Sequence, residues 1–95
     1  MQTKIYTHII SQFFEKGTTQ ETLFTGFASE VGEVMSERVR ETRNGEKKTT
    51  EIVDELSDVL WYLTMIAHTR GYTLEAVMKH GIAKLEDREI NGKSL

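Results

Sequence analysis

The stretch Thr50–Arg70, TEIVDELSDVLWYLTMIAHTR, contains neither proline nor glycine, and its apolar residues gather on one side only if it is helical. At 100° per residue, Ile52, Leu56, Val59, Leu63 and Ala67 share one stripe. Glu51, Glu55, Asp58 and Tyr62 share a second, about a quarter-turn away. No lysine or arginine lies between Glu51 and Ile66. Carboxylates crowded at the edge of a core repel one another and lose hydration, so they need a compensating cation. The pattern therefore points to a helix that holds a metal.

The chain has no proline and 7 glycines, which leaves glycine as the main breaker and favours an all-α fold. A first helix is expected from about Thr3 to Lys16, with Ile5, Ile9 and Phe13 at helical spacing and Gly17 closing it. Thr18 and Glu21 read as a capping box with Thr18 at the N-cap. A second helix follows from about Thr19 to Arg43. Its expected apolar face is Leu23, Phe24, Phe27, Ala28, Val31, Val34 and Met35, with Phe27 and Met35 in the core, and Glu30, Glu33 and Glu37 cluster beside it. The short polar turn Asn44–Lys48 makes helices two and three an antiparallel hairpin. Thr49 or Thr50 is expected to cap the third helix, which ends at Arg70–Gly71. Thr73 caps a fourth that frays near Asn91–Gly92, followed by disordered last residues. The expected fold is an all-α, four-helix chain with a central antiparallel helical hairpin, a single domain over residues 1–95 with its core in 19–90.

Charge and composition exclude several functions. A net charge of −3 argues against nucleic-acid and membrane-surface binding, which want a basic patch. With no cysteine, disulfides and thiolate metal sites are impossible, as suits a reducing compartment. No apolar segment approaches ~20 residues and no signal peptide is visible, so a cytoplasmic protein is expected. There is no P-loop, GxGxxG, HExxH or Ser/His/Asp arrangement. His8, His68 and His80 are scattered and read as surface or interface residues rather than ligands.

Two short motifs remain: Glu30-x-x-Glu33 and Glu55-x-x-Asp58. An i, i+3 pair projects two carboxylates from one helix face, and two such helices packed antiparallel surround one cavity with four oxygen donors. Hard divalent cations such as Mg²⁺ want oxygen ligands and complete their shell with water and substrate phosphates. One or two such ions would neutralise the carboxylates, bind a triphosphate and polarise a water. Either pair alone is better read as a solvated face. Two pairs facing each other across a tight hairpin, without lysine partners, favour the metal. A di-iron site would need Glu-x-x-His motifs, and no histidine stands at those positions. Tyr62 lies on the acid stripe and is a candidate substrate contact. Trp61 points away from it and reads as a packing or subunit contact. Arg38, Arg40, Lys47 and Lys48 read as a solvated turn.

The segments GFASEVGEV (26–34) and DELSDVLWYL (54–63), continued by Gly71–Glu75 and Lys84–Arg88, resemble the MazG-like nucleotide pyrophosphohydrolases of the all-α NTP pyrophosphatase superfamily. The resemblance covers roughly Leu23 to Arg88. It implies hydrolysis of (d)NTPs between the α and β phosphates to a monophosphate and pyrophosphate, in a house-cleaning role. It implies Mg²⁺, with Mn²⁺ as a substitute, held by Glu30, Glu33, Glu55 and Asp58. A nearby acid, Glu33 or Glu37, would activate the water, and Lys84 and Arg88 would meet the phosphates. It further implies a homodimer or homotetramer in which neighbouring subunits complete the site. Two positions depart from the pattern: Ser29 stands where many relatives have a further acid, and Gly81 where many have asparagine. They leave open a non-catalytic helical oligomerisation module. A phosphoribosyl-ATP pyrophosphohydrolase is the alternative within the superfamily.

Overall fold

A computed structural model describes residues 1–92. Four helices follow in order: α1 (Thr3–Ser11), α2 (Gln20–Asn44), α3 (Thr49–Thr69) and α4 (Leu74–Asn91). There is no strand among the described residues, and the fold is the expected all-α hairpin. The expectation of disorder concerns residues 93–95, which lie outside the described residues.

The hairpin of α2 and α3 is the principal packing unit, while α1 and α4 pack on each other and each touches α3. Gly45, at φ 68°, closes α2 in the left-handed region, where an L side chain would be strained. The turn is then held by Glu41. One of its carboxylate oxygens accepts the Lys48 backbone N–H at 2.7 Å and the other accepts Arg38 at 3.0 Å. These two contacts, the backbone one first, pull the Glu41 carboxyl below its ordinary value. At the far end Gln20 donates to Thr69 at 2.8 Å and accepts from Arg70 at 3.2 Å, and the Arg70 guanidinium lies 5.7 Å from the centroid of the Phe24 ring.

Several helix ends differ from expectation. α1 stops at Ser11 rather than Lys16. Its last amides turn to carbonyls three residues back, and Phe14 swings onto Trp61 with ring centroids 6.3 Å apart. The N-cap of α2 is Thr19, not Thr18. Its side chain accepts the Thr22 N–H at 3.1 Å, while the Thr18 hydroxyl donates to the Glu15 carbonyl. There is no capping box, because that shift moves Glu21 off N3. Lys48 takes the N-cap position of α3, its N–H already occupied by Glu41, so neither Thr49 nor Thr50 caps. Thr73 caps α4 as expected, accepting the Ala76 N–H at 3.0 Å.

The core is much thinner than the apolar faces suggest. Leu23, Met65 and Leu74 are the buried hydrophobics among the described residues. On α2, Phe27 and Val34 are half-buried, whereas Met35 is 58% exposed, so Met35 is not core in the single chain; Phe24, Ala28 and Val31 are exposed as well. Leu56 on α3 is also exposed. A two-helix contact covers only a narrow strip of each helix, and a wider apolar face keeps an uncovered flank. The radius of gyration, 16.0 Å, exceeds the roughly 12 Å of a compact chain of this length. The accessible surface, 7406 Å², exceeds the roughly 5,600 Å² of a folded monomer of this mass.

Candidate metal centre

The hairpin brings Glu30 of α2 against Glu55 and Asp58 of α3, with a carboxylate oxygen from each within 4.8 Å of the others. The antiparallel register sets this meeting. Glu41 pins one end and Gln20 the other, and the three acids fall between the pins. Glu30 Oε2 is buried and has no hydrogen-bond partner. None of the three is ion-paired with a lysine or arginine among the described residues. An unpartnered buried carboxylate oxygen is costly, so such a site calls for a cation.

The electrostatics agree. Glu55 is pushed up from its ordinary value of 4.5 to about 7. The largest cause is a hydrogen bond with Glu30, which requires a shared proton; partial burial and repulsion from Glu30, Glu33 and Asp58 follow. Asp58 is also raised, first by burial and then by Glu30 and Asp54. An all-oxygen donor set whose members resist ionising together fits a hard divalent cation.

The other expected site residues are placed as follows. Glu33 is exposed and outside the trio, although its charge contributes to raising Glu55. Glu37 is buried and ion-paired with Arg40. Tyr62 extends across α2 at Gly26, where a Cβ would fall inside its ring. Lys84 and Arg88 line a separate shallow depression of α4 with His80, Ala83 and Asp87; Glu30, Glu55 and Asp58 are not part of it. Trp61 is half-buried between Phe14 and the edge of Tyr62. His8, His68 and His80 are exposed, and none joins a metal-ligating group among the described residues. Glu41 as the pin of the turn was not anticipated; that a glycine beside the acids, Gly26 or Gly32, admits a neighbouring helix was, and it holds at Gly26, where Tyr62 sits, while Gly32 has nothing near it. Gly26 carried a signal, being a glycine in a helix interior one turn before Glu30.

Together these features define an all-α hairpin domain with acids from two helices converging on one point. The chain belongs to the MazG nucleotide pyrophosphohydrolase domain family, whose pattern matches residues 18–92. Neither the curated proteins nor the solved structures give a significant match. No described helix is long and apolar enough to cross a membrane.

The raised Glu55 predicts coupled effects of pH and metal. A cation entering the site displaces the shared proton, so apparent Mg²⁺ affinity should fall below pH 7, approaching tenfold per pH unit. Without metal, the folded state holds that proton more tightly than the unfolded chain does. Its stabilising contribution is therefore full below about pH 4.5 and lost as pH rises through about 7. Metal-free Tm should decline over that window, whereas saturating Mg²⁺ should abolish the decline. Thermal scans at several pH values, with and without Mg²⁺, check both.

Proposed function

We propose that this protein is a Mg²⁺-dependent nucleoside triphosphate pyrophosphohydrolase that cleaves (d)NTPs between the α and β phosphates. The observation that carries the reading is the Glu30–Glu55–Asp58 trio with its unpartnered buried oxygen, in a chain of this family. Glu30, Glu55 and Asp58 hold the cation, with Mn²⁺ as a workable substitute, and Glu33 stands beside them. When bound, the ion supplies charge neutralisation and polarises the triphosphate and a water. Glu33, exposed and without an ion pair among the described residues, takes the proton of the attacking water. The water oxygen bonds to phosphorus, the bond to the bridging oxygen breaks, and a nucleoside monophosphate and pyrophosphate leave. Glu37 is the weaker candidate for base, because Arg40 already engages its carboxylate. Lys84 and Arg88 contribute cationic charge toward the phosphates.

The functional unit is a homodimer or homotetramer. Its support is the excess accessible surface, roughly 1,800 Å² per chain above a folded monomer of this mass, which is more than the roughly 800 Å² each partner buries in a standard interface and is the scale of an obligate oligomer. Assembly is also the route by which α4 of one copy reaches the acids of another.

The test is a pyrophosphate-release screen over the common NTPs, dNTPs and phosphoribosyl-ATP, with Mg²⁺ and with chelator. Release from at least one nucleotide, abolished by chelator, is expected. Release from phosphoribosyl-ATP alone would identify the other branch of the superfamily. No release from any substrate would leave the chain as an assembly module.

A further inference from the structure

Immediately before Glu30 along α2 lies a depression of about 470 Å³, lined by Glu21, Thr22, Thr25, Gly26, Ser29 and Tyr62. Gly26 lets the Tyr62 ring form its far wall, since any side chain there would collide with the ring. Glu21, Thr25 and Ser29 follow one another at i, i+4 and i+8, so their oxygens form a single row up the helix toward Glu30. The hydroxyls of Thr25 and Ser29 have no hydrogen-bond partner among the described residues. By contrast, Thr7, Thr42 and Thr64 bond back to a carbonyl of their own helix. The depression contains no lysine or arginine and one carboxylate, so it repels a triphosphate and suits an uncharged group rich in hydroxyls.

We propose that this depression is the subsite for the sugar of the substrate nucleotide, with Thr25 and Ser29 hydrogen-bonding the sugar hydroxyls and the Tyr62 ring as its wall. The proposal rests on the reading of the trio as the phosphate-proximal metal centre. From Glu30 to Thr25 the helix rises about 7.5 Å, which sets the sugar beside the α-phosphate rather than the γ. Glu21 at the rim can accept from one of the same hydroxyls, as carboxylates do for ribose elsewhere. Ser29 then has a role of its own, as a neutral hydroxyl facing the sugar.

The test is steady-state pyrophosphate release from matched NTP, dNTP and 2′,3′-dideoxy-NTP of one base, for the parent chain, Thr25→Val and Ser29→Ala. Both positions are exposed on a helix, and circular dichroism verifies folding. For NTP, KM should rise by about 3- to 10-fold in each variant, one lost hydrogen bond, with kcat changing less; for dNTP, which keeps only the 3′-hydroxyl, the rise should persist in at least one of the two. For the dideoxy substrate the rise should be under about twofold, since no sugar hydroxyl is left to lose. Gly26→Ala, which displaces the Tyr62 ring, should raise KM for all three. Equal KM increases for all three substrates in the hydroxyl variants, or none for any, would overturn the sugar assignment while release by the parent chain upholds the metal centre. Absence of release in the parent chain would sink both.

Discussion

Replacing Asp58 with asparagine should lower pyrophosphate release on the order of 10²–10³-fold, while the helices stay intact. The substitution keeps the shape of the side chain and removes one charge from a trio whose oxygens lie within 4.8 Å of one another. Mg²⁺ affinity should drop with it. The metal-free protein, however, should melt no lower than the parent, because one source of the repulsion that raises Glu55 is gone. Loss of function without loss of stability separates a ligand from a structural residue. Glu33→Gln serves as the counterpart: it should slow turnover on the order of 10²–10³-fold with Mg²⁺ affinity largely kept, as expected for a base outside the trio. Undiminished release in both variants would remove this site from the chemistry.

Leu23→Ala should destabilise the fold by about 3 kcal/mol, read from the urea midpoint. Leu23 is 1% exposed and one of three buried hydrophobics among the described residues. Small domains are stable by only about 5–15 kcal/mol, so a loss of that size removes a large share. Met35→Ala, at 58% exposure, would cost little in an isolated chain. If copies associate through the uncovered faces, the melting temperature should rise with protein concentration, and Met35→Ala should weaken that dependence. A concentration-independent Tm and a monomer mass in sedimentation would contradict the assembly.

The hairpin was legible in the sequence because two long apolar-periodic runs flank a short polar turn, and the two acid motifs because they sit at i, i+3 on the borders of those runs. Three of the four acids expected to converge, Glu30, Glu55 and Asp58, do meet; that Glu33 stays outside was not legible. Helical angle alone placed Glu33 with Glu30, but the interhelical contact leaves Glu33 exposed and draws only Glu30 into the trio. The N-cap shift from Thr18 to Thr19 and the substitution of Lys48 for a threonine cap depend on hydrogen bonds to Thr22 and Glu41, choices between adjacent residues that periodicity does not resolve. The apolar faces were read as core; their width instead exceeds what one chain covers, which is why Met35, Val31 and Leu56 stand exposed. The pairing of Glu37 with Arg40 was visible in the sequence as an i, i+3 spacing of opposite charges on one helix.

The most direct measurement is calorimetric titration of Mg²⁺ into the protein in the presence of a non-hydrolysable triphosphate, with the parent chain and Glu30→Gln compared at pH 8. The trio predicts metal-dependent binding heat in the parent and its loss in the variant, since Glu30 contributes the buried oxygen that has no other partner. Equal heats in the two proteins, or none in the parent, would contradict a cation held between α2 and α3.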